Sequence, residues 1–165
     1  MAQVVYVVGD DISTDVIYPG RYMATVLPTE TPQFAFVDDA TFNEKLKSRQ
    51  IPPGSVIVAG SNFGCGSSRE QAVSTLKGHE LIIVARSFAR IFMQNSINLG
   101  LRLIVAPGIT AAVGDELVIE ERLVLNKTGG ATFPIEPLQR ARQAIVEAGG
   151  LIAYTRKRML DRQAV

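Results

Sequence analysis

The residues best suited to chemistry lie in the stretch GCGSSRE, Gly64 to Glu70, between an apolar run and a helix-like run. It offers one thiol, two adjacent hydroxyls and a guanidinium. Backbone N–H groups at a helix start, together with the helix macrodipole, favour an anion. Arg69 adds a planar fork that matches a carboxylate, and Gly64 and Gly66 let the backbone turn tightly and a ligand come close. A serine hydroxyl loses its proton more readily where fixed dipoles stabilise the alkoxide. Such a stretch can hold a carboxylate and set a basic oxygen beside it, which is what removal of a proton from the adjacent carbon requires.

The same letters support a plainer reading. Ser67-x-x-Glu70 is a capping box, in which serine and glutamate satisfy two orphan backbone donors. Cap and catalyst are not exclusive. Three other motifs fail: a phosphate loop needs Lys and Ser/Thr after its second glycine, a dinucleotide fingerprint needs a third glycine, and a nucleophile elbow needs glycine after the serine.

Few other residues compete. Cys65 is the only cysteine and His79 the only histidine, so an intrachain disulfide is impossible and no zinc or iron–sulfur ligand set can be completed from them. Cys65 reads as a small loop residue and His79 as a cap at a helix end. Asp10, Asp11 and Asp15 do not have the alternating spacing of a calcium loop; turn formation accounts for the first two. No metal site is therefore expected. Arg86 and Arg90, four apart, are expected on one helix face, able to steer an anion or meet a partner, with Arg90 partly buried and paired among Phe88, Ile91 and Phe92.

These residues need elements to carry them. The chain has 165 residues, 47% of them hydrophobic, and a formal net charge of +1. That predicts a single domain over residues 1–165 with a real core. Without a basic excess it does not read as a nucleic-acid binder. No apolar run approaches the roughly 20 residues of a membrane span, and MAQVVYVVGDD lacks a basic n-region, so a cytoplasmic location is expected.

QVVYVVGDD predicts a strand over 3–8. The segment after it, to about residue 33, is polar and broken by prolines, so it is expected to be a functional loop. DDATFNEKLKSRQ predicts a helix with an acidic cap. SVIVAG, LIIVAR and LRLIVAP predict strands. Between them lie two helices, REQAVSTLKGHE closed by Gly78 and SFARIFMQNSINLG capped by Ser87. These make a pair of βαβ units with parallel strands. Beyond Gly114, three short strands, expected antiparallel, precede a helix with Pro137 near its start and a glycine pair at its end, and LIAYTRKRML follows with a basic last turn. The fold class is α/β, a mixed sheet with βαβ units.

GDDISTDVIYPGRY, AGSNFGCGSSRE and ARSFARIFMQNSINLG, in this order, resemble the small subunits of the aconitase-like hydro-lyases, nearest to the stand-alone 3-isopropylmalate dehydratase type. The resemblance runs from residue 3 to about residue 155. It implies a swivelling β/β/α domain that closes over a large subunit, with a [4Fe-4S] cluster carried by that subunit and none by this chain. It implies hydroxyl transfer between adjacent carbons of a malate-type di-acid by dehydration and rehydration. Ser67 matches the family's base, Arg69 the carboxylate clamp, and Ser68 a further hydrogen-bonding position. Thr14 and Asp15 match positions that line or orient the site.

Arg21, Tyr22, Met23, Ala24 and Thr25 match the loop that reads the substrate's variable group. With Met23 and Ala24 where tricarboxylate-handling relatives tend to place arginine, an apolar substituent fits better than a buried second charge. The expectation is an alkyl-malate, isopropylmalate of leucine biosynthesis above all. Homoaconitase and a 2,3-dimethylmalate or methylmalate dehydratase stand as alternatives, as does a non-catalytic carboxylate-binding module. Gln71 stands where many relatives have histidine. The chain alone is expected to be inactive, and isolated it could form a homo-oligomer. The catalytic reading requires the Ser67 oxygen and the Arg69 guanidinium to reach one pocket.

Overall fold

The computed structural model describes residues 1–163; 164 and 165 lie outside the described residues. Seven strands form one mixed sheet in the order β4-β3-β2-β1-β5-β6-β7. Strands β1 (Ala2–Val8), β2 (Val56–Ala59), β3 (Ile82–Ala85) and β4 (Arg102–Val105) run parallel. Strands β5 (Glu116–Ile119), β6 (Leu123–Asn126) and β7 (Thr132–Pro134) are antiparallel, and β1 joins the two halves through Ala2 and Gln3 against β5.

The apolar composition of the parallel strands follows from this arrangement. VIVA and IIVA are buried at every position because both faces of the sheet are covered. Alternate residues point to opposite faces. Ile57, Ala59, Ile83 and Ala85 enter a core with the helices, while Val56, Val58, Ile82 and Val84 enter a second core with Ile109, Leu117 and Val124. The helical layer comprises α2 (Ala40–Lys47), α3 (Gln71–Gly78) and α4 (Arg90–Leu99). Helices α5 (Arg140–Glu147) and α6 (Leu151–Gln163) end the chain. Asp39 caps α2 by accepting from the Phe42 N–H at 3.0 Å, as its acidic start predicts.

Several local expectations are corrected. The segment after β1 is not all loop: it contains α1 (Thr14–Ile17) and 3-10 turns at Gly20–Tyr22 and Thr31–Phe34. A four-residue helix is too short for its period to register in sequence. Ser87 does not cap α4. Its Oγ accepts from the Asn62 N–H at 2.8 Å, and the helix starts at Arg90 after Ala89. Arg86 and Arg90 therefore share no helix face, and Arg90 is exposed rather than buried. Gly78 lies inside the last turn of α3, against Pro32, and Glu80 takes the left-handed conformation instead. Helix α5 starts at Arg140, later than Pro137 suggests.

Candidate functional site

Parallel strands bring their C-terminal ends to one edge of the sheet, and the loops leaving β1, β2 and β3 stay paired beyond it. The Asp11 N–H donates to the Ser61 carbonyl at 2.9 Å, Gly64 N–H to Ile12 at 2.8 Å and Thr14 N–H to Cys65 at 2.8 Å. Phe63 N–H donates to Ser87 at 3.1 Å and Ala89 N–H to Phe63 at 2.9 Å. The loop carrying Ser67 is thus laid between the loop carrying Thr14 and the loop entering α4.

Glycine makes this lamination possible at two points. At Gly64 (φ 82°) a Cβ would lie 2.1 Å from Cγ of Phe92 on α4, and at Gly66 (φ 93°) it would lie 2.8 Å from Oγ of Ser13. Both spend their backbone freedom on close packing and a left-handed bend.

Ser67 and Arg69 both reach α1. Ser67 Oγ lies 3.0 Å from Thr14 Oγ1, and the Ser67 N–H donates to that same oxygen at 3.1 Å. Thr14 is 1% exposed, and Ser67 is half-buried. Arg69 Nη1 donates to Asp15 Oδ1 at 2.6 Å and to the Tyr18 carbonyl at 3.1 Å. The Arg69 side chain is 15% exposed and that of Asp15 57%. The Arg69 hydrogen bond holds the Asp15 carboxyl below the usual carboxylate range. With Nη1 engaged, the Nε and Nη2 edge of the fork has no acceptor among the described residues and can meet a carboxylate bidentately.

Helix α1 owes its position to Ser13, whose Oγ accepts from the Asp15 N–H at 3.1 Å. It presents Thr14 and Asp15 side by side, one to each partner.

The capping box does not form. Helix α3 starts at Gln71, its N-cap position is Glu70, and no side chain caps it. Thr14 takes the Ser67 oxygen instead. Ser67 and Arg69 both bond to α1, on the face that the loop turns towards it. Of the two cavities described, one of about 300 Å³ is lined by Val58, Arg86 and Ile109 and one of about 370 Å³ by Lys77 and Leu101; Ser67 and Arg69 line neither.

The loop at 21–25 lies beside this face. Arg21 is ion-paired with Asp38 and sits 4.9 Å over the Tyr22 ring, which stacks on Phe34 at 4.1 Å. Met23, 50% exposed, and Ala24 point to solvent. The Tyr18 hydroxyl donates to the Tyr22 carbonyl at 2.9 Å, with the Thr25 carbonyl at 3.3 Å. Gln71 Nε2 stands 3.5 Å from the Met23 carbonyl. Ser68 is exposed, and its carbonyl accepts from Asn95 Nδ2 at 3.0 Å.

Sequence reading missed Ser13, Tyr18 and Asn95. A Ser-Thr-Asp cap signal marks the first; nothing in spacing marks the others. Cys65 Sγ donates to the Asp11 carbonyl at 3.3 Å, and His79 Nε2 lies 2.8 Å from the Pro32 carbonyl. Both serve the loops. No group of three or more metal-ligating side chains occurs among the described residues, and a lone thiol turned onto a backbone carbonyl does not fit an iron–sulfur cluster.

Residues 10–106 match the aconitase C-terminal domain family. The chain is 43% identical over 161 residues to the isopropylmalate/citramalate isomerase small subunit of Methanocaldococcus jannaschii, covering 94% of this chain and 93% of that one. It is 44% identical over 158 residues to 3-isopropylmalate dehydratase small subunit 1 of Methanopyrus kandleri, covering 92% and 90%. The crystal structure of 3-isopropylmalate dehydratase (leuD) from M. jannaschii superposes with a TM-score of 0.88 at 37% identity, covering 98% of this chain and 96% of that one.

Proposed function

Since the chain belongs to the aconitase C-terminal domain family, as a hydro-lyase small subunit of the 3-isopropylmalate dehydratase type, we propose that Ser67 and Arg69 act together on an alkyl-malate held between this chain and a large subunit. Arg69 binds a substrate carboxylate through its Nε and Nη2 edge while Asp15 fixes the plane of the guanidinium. The Ser67 oxygen, as alkoxide, takes the proton from the carbon next to that carboxylate while the hydroxyl on the adjacent carbon leaves as water or hydroxide, a departure for which a cluster on the large subunit would supply the Lewis acid, and Thr14 Oγ1 donates to the serine oxygen. Rehydration returns the proton from Ser67 to the neighbouring position.

The observation that supports this reading is that consecutive residues of α1, Thr14 and Asp15, bond the serine oxygen and the guanidinium on the face that the loop turns towards α1. Ser67 and Arg69 line neither of the two cavities described, which suits a half-site that a partner completes. The cluster belongs to the large subunit, since the donor set here does not fit it. The cytoplasm is the compartment that suits a lone free thiol, and among the described residues no helix is long and apolar enough to cross a membrane.

For the substituent, the pairing of Arg21 with Asp38 supports an alkyl group. Its charge is already matched, and Met23 and Ala24 offer no partner for a further carboxylate. Isopropylmalate, in leucine biosynthesis, fits best.

The test is turnover after reconstitution with the large subunit. Isopropylmalate is expected to give a higher kcat/KM than homocitrate, and Ser67→Ala to lower kcat by about 10²-fold or more with little change in KM. Homocitrate as the better substrate would overturn the alkyl-malate assignment; a fully active Ser67→Ala enzyme would overturn the base.

A further inference from the structure

Helix α4, which carries the third motif, touches the Ser67 loop at two places one turn apart. Phe92 packs beneath Gly64, and Asn95 Nδ2 reaches the Ser68 carbonyl at 3.0 Å. The three residues at the centre of the loop lie outside any helix or strand. Ser67 is held by Thr14, and Arg69 by Asp15 and Tyr18. Ser68, between them, is exposed on its side chain and held at its carbonyl by Asn95.

We infer that Asn95 is a positioning residue for the reaction, fixing the peptide between Ser68 and Arg69 so that the Arg69 backbone N–H faces the reacting groups. The inference rests on the reading of Ser67 as the base. A trans peptide is planar, with its C=O and N–H pointing in opposite directions. Drawing the Ser68 carbonyl down onto α4 turns the Arg69 N–H away from α4, onto the face where Ser67 and the substrate carboxylate carry negative charge. Without the Asn95 amide, this peptide can rotate between two bonded neighbours, and the N–H dipole is no longer set in advance. A donor aligned beforehand helps most where charge develops. Asn suits the task because its amide donates without titrating.

Asn95→Ala and the isosteric Asn95→Asp separate positioning from bulk structure, each assayed in the enzyme reconstituted with its large subunit. Asn95→Ala is expected to lower kcat by about tenfold, the scale of one hydrogen bond made before the transition state, with KM within about twofold. In the Asn95→Asp variant an ionised carboxylate repels the Ser68 carbonyl and cannot donate to it. An ordinary Asp carboxyl, with a pKa near about 4, is ionised throughout the assay range, so this variant is expected to lose at least as much kcat as Asn95→Ala. A packing defect would spare this isosteric variant.

The inference is overturned if either Asn95→Ala or Asn95→Asp keeps kcat within about twofold. Ser67→Ala in the same assay keeps the two levels apart. If it is inactive while Asn95→Ala is normal, only the role of Asn95 fails; if it is active, the base assignment itself fails.

Discussion

The parallel and antiparallel halves of the sheet use strands of similar length, yet the candidate site lies at the end of the parallel half. Its strands finish at a common edge, so the loops after β1, β2 and β3 lie side by side and go on hydrogen-bonding past the sheet. Residues far apart in sequence, Thr14 with Ser67 and Asp15 with Arg69, are thereby brought into contact. In the antiparallel half each strand returns beside its neighbour, and the turns close on themselves. Asn126 bonds Asp115 at 2.7 Å and the Gly129 N–H at 2.9 Å, in a local network that stabilises a turn and presents nothing. Chemistry needs side chains from separate segments aimed at one point, and parallel topology supplies that while hairpins do not.

Paired substitutions test this contrast. Adding a methyl to Gly64 combines a left-handed φ with a contact 2.1 Å from Phe92, and is expected to cost about 3 kcal/mol and to displace Ser67. Gly130 in the antiparallel half has φ 72° but open space around it, so Gly130→Ala is expected to cost about 1 kcal/mol and leave turnover intact. Thermal melts of the isolated chain read the difference. Equal losses would mean that the lamination around Gly64 matters no more than a surface turn.

A smaller effect separates Thr14 from Asn126. Both are buried and fully bonded. Thr14→Val is expected to lower kcat about tenfold or more, with Thr14→Ser largely rescuing it. Asn126→Ala is expected to cost about 1–2 kcal/mol of stability with kcat unchanged. Kinetics and urea unfolding on the same samples check both.

The smallest difference is in pH dependence. His79, half-buried beside α3, has its pKa lowered by desolvation, against a hydrogen bond to the Pro32 carbonyl that raises it. The unfolded chain then binds the proton first, so stability is lost as the pH falls from about 6.5 towards the lower folded value. Asp115 in the antiparallel half is also lowered, by the Ala112 N–H and the Asn126 amide; its contribution is present above the ordinary Asp value and lost as the pH falls through the lower folded one. Urea midpoints against pH should show the first loss disappear in His79→Gln while the second remains.

Much of this was legible in the sequence. The four parallel strands show as short apolar runs because burial on both faces leaves no room for polar residues, and Gly64, Gly66, Ser67 and Arg69 stand together in one motif. The use of those residues was less legible. Ser67-x-x-Glu70 has the letters of a cap, but a buried threonine 53 positions away takes the serine oxygen. Arg86 and Arg90 have helical spacing, but the helix starts only at Arg90. Asn95 has no signal of its own, because its meaning depends on which loop α4 lies under. Local patterns report local competition, and long-range pairings decided each of these cases.

The proposal gives Ser67 and Arg69 different roles on one substrate, and the steady-state kinetics of Ser67→Ala and Arg69→Lys in the reconstituted enzyme separate those roles. Ser67→Ala is expected to lose kcat at nearly constant KM. Arg69→Lys, having lost the planar fork, is expected to raise KM by about tenfold or more. Two correctly assembled variants with both constants within about twofold of the parent would refute the shared site.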